Sequence, residues 1–349
     1  LVENIGETLG KSKKIAELIS NKIINGISDI YSIGNVQYRT SCSIGICNFL
    51  GDTLSVNEIF KRADNAMFQA KSDGRSCFRF FDEKLQPSIE FKASLENDLR
   101  DAIFDRDIIP YFQPQVNHRH ELIGAEILLR WQHPKHGMIS PAEFIPIAED
   151  SDIIHRIGTE VLQSACKQLA IWQNNPETAH LVLSVNISAR QFMQKNFVET
   201  VLSSIETYHC SGSRLRLEIT ESLMLKNINE LATKIEKLRS YGITLSLDDF
   251  GTGYSSLSIL RSFPLDEIKI DKSFVDHMLE NANDAHIIRT VINMSNHMGM
   301  TVIAEGVETE AQEAFLAENG CLNYQGYLFG KPMPLEDFSD YIKKPLPLH

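Results

Sequence analysis

The sequence predicts an α/β chain, a (β/α)8 TIM-like barrel with irregular first strands, preceded by a partial α+β segment. Three observations predict it. Short apolar strands recur at residues 109–115, 122–130, 181–187, 214–220, 243–248, 267–270, 301–304 and 323–328, with helix-like stretches between most of them. A short polar turn at residues 117–120 joins the first two, which suggests a hairpin and hence an irregular start. No glycine-rich phosphate loop follows the first strand, which counts against a doubly wound open sheet.

Residues 1–84 form the first expected domain and residues 85–349 the second, with an amphipathic helix over 88–106 (apolar Ile89, Leu95, Leu99 and Ile103) as the joint. The first domain reads as a helix over 11–26, a strand over 36–46, a helix over 56–72 and a strand over 77–81. That is a thin core for independent stability, so further chain upstream is expected, including a sensory or membrane domain.

Composition narrows the function. At 43% hydrophobic and 23% charged residues the chain is an ordinary globular protein, without a run long enough to span a membrane and without a signal peptide. A net charge of −12 argues against DNA or RNA polymers as partners, so a phosphate-bearing ligand would need local help, most simply from metal ions. Cys42, Cys47, Cys77, Cys166, Cys210 and Cys321 form no CxxC pair, so neither zinc nor a disulfide framework is indicated and a reducing cytoplasm is expected.

The chemistry sits at the strand ends. By alternation, Glu218 and Thr220 oppose Leu217 and Ile219, and Ser184 and Asn186 oppose Val185 and Ile187. The same parity places Glu126, Asn186, Glu218, Asp248, Lys269, Glu305 and Gln325 around one barrel mouth, where barrel enzymes keep their active sites. Several carboxylates in a poorly solvated space oppose one another's ionisation, and divalent cations resolve the conflict. Hard oxygen ligands without a histidine cluster select two Mg²⁺ or Mn²⁺ ions over zinc. The adjacent Asp248 and Asp249 are suited to bridge a pair roughly 3.5–4 Å apart. Lys269 could orient the attacking hydroxide or stabilise developing charge; its bland reading is a lysine that neutralises a buried acid. Glu305 could ligate a metal or take the water's proton. The segment from Asp249 to Leu257, rich in glycine and hydroxyls, reads as a loop over the site or as a flexible connector with a serine cap.

The motifs Tyr111-Phe-Gln-Pro114, Glu126-Ile-Leu-Leu-Arg-Trp131, Asn186-Ile-Ser-Ala-Arg-Gln-Phe192, Glu218-Ile-Thr-Glu221, Asp248-Asp-Phe-Gly-Thr-Gly-Tyr-Ser-Ser256, Lys269-Ile-Asp-Lys-Ser-Phe274, Ala304-Glu-Gly-Val-Glu-Thr309 and Gln325-Gly-Tyr-Leu-Phe-Gly-Lys-Pro332 resemble the EAL family of cyclic di-GMP phosphodiesterases. The resemblance implies that Glu126, Asn186, Glu218, Asp248 and Asp249 are metal ligands and that Lys269 and Glu305 lie near the attacking water. It also implies that Glu221 holds the Asp249–Ser256 loop, that Glu308 and Gln325 support the site, and that Gln113, Leu128 and Arg130 lie along the dinucleotide. The implied product is linear pGpG. A homodimer is expected. Two departures stand out. The signature Glu-Ala-Leu is here Glu126-Ile127-Leu128, with Ile127 facing the helix layer by parity, and Leu322 stands where the family often has Asp.

Ser43-Ile-Gly-Ile46 and Arg62-Ala-Asp-Asn-Ala-Met-Phe-Gln-Ala-Lys-Ser-Asp-Gly-Arg75 resemble the C-terminal half of a GGDEF domain, without the nucleotide-binding signature that names that family. The resemblance implies no synthesis of cyclic di-GMP by this chain. The leading function is an active hydrolase. The alternatives are a non-catalytic cyclic di-GMP receptor and a solvated barrel rim without metal dependence.

Overall fold

A computed structural model describes residues 2, 8–28, 30–33, 36–49, 54–73, 76–83, 86–224, 228–251 and 263–343. The chain divides into two units, Leu1–Asn97 and Asp98–His349.

In the first unit, α1 (Leu9–Ile27) starts at Thr8, whose hydroxyl accepts from the Lys11 N–H at 3.4 Å. Strands β1 (Ile30–Ile33) and β2 (Val36–Arg39) form an antiparallel pair. Strand β3 (Ile44–Ile46) runs parallel to β4 (Phe78–Phe80), with α2 (Val56–Ser72) between them in sequence. The single strand expected over 36–46 is thus two strands, because its halves pair with different partners across the polar break at residues 40–43. Gly45 lets β3 press on α2, since a Cβ there would lie 2.0 Å from the Ala63 carbonyl oxygen. The helix expected over 88–106 is α3 (Gln86–Asp101). It stops early because Asp105 takes a left-handed conformation (φ 64°) and the Asp107 carboxylate accepts from the Ile103 N–H at 2.8 Å, which leaves Ile103 exposed.

The second unit is an eight-stranded closed barrel. Its strands are β5 (Ile108–Asn117), β6 (Leu122–His133), β8 (Val182–Ile187), β9 (Leu215–Thr220), β10 (Thr244–Phe250), β11 (Glu267–Ile270), β12 (Thr301–Ala304) and β13 (Asn323–Gln325). From β6 to β13 neighbouring strands are parallel, and β5 closes the ring antiparallel to both β6 and β13. That antiparallel strand is the irregular start anticipated from the polar turn, in which the Asn117 Oδ1 accepts from the Arg119 and Glu121 N–H groups at 2.9 and 3.0 Å. Short β7 (Gly137–Ile139) and β14 (Met333–Pro334) pair outside the ring with β6 and β5.

Strand β13 ends at Gln325 rather than at residue 328. A Cβ on Gly326 would lie 2.0 Å from the Val307 carbonyl oxygen, and the chain turns there so that the Leu328 N–H donates to that oxygen. Outward residues such as Leu217, Ile219, Ile268 and Ile270 are buried. Ile127 belongs to the same outward layer: its register partner Phe112 stacks on Phe338 at 5.6 Å and meets Trp172 at 6.4 Å. Among the described residues no helix is long and apolar enough to cross a membrane.

Candidate active site

Register fixes which side chains face the barrel interior. In the parallel ladder Asn186 lies opposite Glu218, Ser246 opposite Glu218, and Ser246 opposite Glu267, so alternate residues of neighbouring strands share the inner face. Lys269 therefore points inward while Ile268 and Ile270 face the helices. It is wholly buried and surrounded by acids: its Nζ lies 2.5 Å from Glu218 Oε2, 2.6 Å from Glu305 Oε1, 3.2 Å from Glu126 Oε2 and 3.7 Å from Asp248 Oδ1.

Around that centre an amide layer orders Glu126. The Asn186 Nδ2 donates to Glu126 Oε1 at 2.6 Å, and the Gln325 Nε2 donates to Glu126 Oε2 at 2.5 Å and to Gln113 Oε1 at 3.1 Å. Gln115, which the sequence reading did not single out, donates to the Gln325 Oε1 at 2.9 Å. Its signal was available, because it shares the parity of Gln113 on β5.

Strand β10 shifts register between Leu247 and Phe250, and Asp249 there adopts φ 57°. Such an irregularity re-aims a side chain at a strand end. Asp248 stays at the centre, and its Oδ1 accepts from the Asp249 N–H at 2.9 Å, while Asp249 stands at the exposed rim. Glu221 is buried just beyond β9 and its Oε2 accepts from the Gly251 N–H at 3.2 Å, so it grips the start of the segment after the Asp pair. Residues 252–262, the rest of the expected covering loop, lie outside the described residues. Glu308 is set apart from Lys269 and pairs with Lys272 at 2.5 Å. Leu128 and Arg130 are half-buried on β6, and the Arg130 guanidinium lies 5.5 Å from the centre of the Tyr111 ring.

Four carboxylates share one ammonium, and the electrostatics reflect the imbalance. Burial works to lower the Lys269 ammonium, but the charges of Asp248, Glu126, Glu218 and Glu305 outweigh it and hold it well above its ordinary value. Burial works to raise the Glu126 carboxyl, yet Lys269 and the Gln325 and Asn186 hydrogen bonds keep it below the usual range. The remaining acids are not so served. Burial, then the Glu126 charge, pushes Glu218 well up; burial and Asp248 push Glu305 up to about 8; burial and Asp248 push Asp249 up to about 6. Glu218 Oε1 is buried without a partner.

An orphaned carboxylate oxygen beside surplus negative charge fits a hard divalent cation, and the donors present are carboxylates and an amide. The carboxylates here face Lys269, and among the described residues no three of His, Cys, Asp and Glu already frame a cation.

Residues 96–332 match the EAL domain model. The chain belongs to the EAL family. Residues 5–77 match the diguanylate cyclase GGDEF domain model. Over 322 residues the chain is 38% identical to the bifunctional diguanylate cyclase/cyclic di-GMP phosphodiesterase MucR of Pseudomonas aeruginosa, covering 92% of this chain and 47% of that protein. It is 33% identical to the cyclic di-GMP phosphodiesterase PdeR of Escherichia coli, covering 95% of this chain and 50% of PdeR. The chain thus spans about half the length of these curated relatives. Among solved structures, the PaMucR phosphodiesterase in complex with c-di-GMP superposes with a TM-score of 0.68 at 39% identity, over 70% of this chain and 99% of that one. In the EAL family's terms the signature Glu is Glu126, at the centre of the amide layer.

Proposed function

We propose that the chain hydrolyses cyclic di-GMP to linear pGpG with two bound Mg²⁺ or Mn²⁺ ions. The observation that carries this is the convergence of Glu126, Glu218, Asp248 and Glu305 on Lys269 with Glu218 Oε1 left unpartnered. One ammonium against four carboxylates leaves a surplus that Asp249 enlarges, and two divalent cations offset it. Family resemblance assigns Glu126, Asn186, Glu218, Asp248 and Asp249 as their ligands, and the hard-oxygen chemistry of that set supports it. When bound, the ions neutralise phosphate charge and acidify a water.

The chain's own residues then have separable tasks. Lys269 holds a proton on Nζ and fixes the Glu218 and Glu305 carboxylates in place. Glu305, at the mouth side of that ammonium, is placed to take the proton of the attacking water. Gln325 and Asn186 keep Glu126 ionised and oriented. Gln113, Leu128 and Arg130 line one side of the mouth and orient the dinucleotide, and Glu221 anchors the segment that begins at Asp249.

Incubation with cyclic di-GMP and Mg²⁺ or Mn²⁺, followed by separation of products, tests the reading. The expected result is pGpG that disappears with EDTA and with Glu126→Ala. Recovery of intact ligand from a protein that binds it would instead make the chain a receptor.

A further inference from the structure

Beyond the next strands in the ring lies a second cluster that the chemistry above does not use. Lys272 lies just past β11, Glu308 past β12, and Tyr327 and Lys331 past β13. All four therefore belong to the mouth, where the C-terminal ends of the parallel strands open.

The cluster is built around an exposed ring. Tyr327 is 53% exposed, with Lys272 Nζ 5.5 Å and Lys331 Nζ 5.2 Å from its centre. Lys272 is held there from two sides. Its ammonium pairs with Glu308 Oε1 at 2.5 Å and with Asp276 Oδ1 at 3.9 Å. Its stem lies against Gly306, where a Cβ would come within 2.3 Å of Lys272 Cγ, and Gly306 has φ 69°. Only glycine accommodates both that approach and that backbone conformation. The turn between Glu305 and Glu308 is thus shaped around the Lys272 stem.

The cluster also connects to the centre. Both Tyr327 and Glu126 act electrostatically on Arg130, which places Tyr327 on the Arg130 side of the mouth. Two ammoniums are drawn to one exposed aromatic face although they repel each other, and Lys331 has no ion pair among the described residues. That is an arrangement suited to a flat base beside a phosphate: the ring offers stacking area and the ammoniums offer charge.

We propose that Tyr327, Lys331 and Lys272 form the subsite for the half of the dinucleotide that is not cleaved, with the base against Tyr327 and the non-reacting phosphate on Lys331. This rests on the cyclic di-GMP reading. Glu308 then acts as a positioning residue, holding Lys272 over the ring, and its contribution passes through Lys272 rather than through Lys269.

Steady-state kinetics on the full chain with cyclic di-GMP and Mg²⁺ test this. Tyr327→Leu is expected to raise KM about tenfold or more with kcat within about twofold, and Tyr327→Phe to restore the KM. Lys331→Gln is expected to raise KM and to flatten its dependence on salt, because one phosphate contact is lost. Glu308→Gln should raise KM less than Tyr327→Leu does. Unchanged KM in both Tyr327→Leu and Lys331→Gln, or a fall in kcat at unchanged KM, overturns the subsite while leaving the hydrolase reading intact. If the wild-type chain turns over nothing, the hydrolase reading falls. Calorimetric binding of cyclic di-GMP then decides the subsite: Tyr327→Leu must weaken it about tenfold, and equal affinity, or no binding by the wild type, sinks it.

Discussion

The two ends of the barrel interior solve the same problem differently. At the floor, where the strands begin, the Arg216 Nη1 donates to both oxygens of buried Glu267 at 2.7 Å, and the hydroxyls of Ser246 and Thr301 donate to the same carboxylate at 3.1 and 3.3 Å. One cation meets one anion, and hydrogen bonds take up the remaining lone pairs. At the mouth, one ammonium meets four carboxylates, and a buried oxygen of Glu218 has no partner. A satisfied buried pair is a structural element. An unsatisfied one of the same residue types, in the same barrel, is a place prepared for something else.

Replacing the cation at each end tests that contrast most strongly. Lys269→Met should lower kcat by a factor on the order of 10³ or more, since the reacting region loses its only buried cation among the described residues. Arg216→Met should cost about 3–5 kcal/mol of stability, because Glu267 is left charged and alone. Its folded fraction should keep kcat within about tenfold. Parallel turnover assays and urea titrations read both. A loss of kcat in Arg216→Met as large as in Lys269→Met would erase the distinction.

Metal should act on one end only. At a concentration of Mg²⁺ about a hundred times its Kd, the wild-type chain should gain about 2.7 kcal/mol of stability, visible as a rise in Tm that EDTA reverses. Glu218→Gln and Asp248→Asn should lose most of that gain. Glu267→Gln should keep it from a lower starting Tm. A metal-independent Tm in the wild-type chain would count against a cation site at the mouth.

Acidity should separate the ends more gently. The Glu305 and Asp249 carboxyls are pushed up to about 8 and about 6 in the folded chain, above their ordinary values. The folded state therefore holds more protons than the unfolded state between the ordinary carboxylate range and about pH 8. Metal-free stability should fall as pH rises through that window. Saturating Mg²⁺ should flatten or reverse the slope, because the metal takes the place of the protons. Thermal melts at pH 6, 7 and 8, with and without the ion, distinguish these outcomes; a metal-free Tm that climbs with pH would contradict the crowding of acids at the mouth.

Much of the mouth was legible in the sequence because alternation has a period of two and each acid stands one residue from a buried aliphatic. Strands at Glu267–Ile270 and Thr301–Ala304 were read with their observed bounds for that reason. What depends on register between strands was not legible. Arg216 and Glu267 meet across β10, and nothing local to either residue announces the other. The same holds for Glu308, whose sequence neighbours place it beside Glu305 while its side chain pairs with Lys272 on a different strand end. The turn that splits residues 36–46 was hidden because both halves have strand-like composition.

The smallest expected effect concerns Leu322, where the EAL family often has Asp. Leu322 is exposed and precedes β13, whereas Gln325 ends that strand at the mouth. Three residues of extended chain separate them by about 10 Å, so position 322 belongs to the floor side. Its side chain is therefore too far along the strand to touch a ligand held by Gln325. Leu322→Asp should change stability by no more than about 0.5 kcal/mol and KM by no more than about twofold. A tenfold gain in KM or in affinity would mean that the outer surface of the floor is coupled to the mouth, which the closed Arg216–Glu267 pair gives no reason to expect.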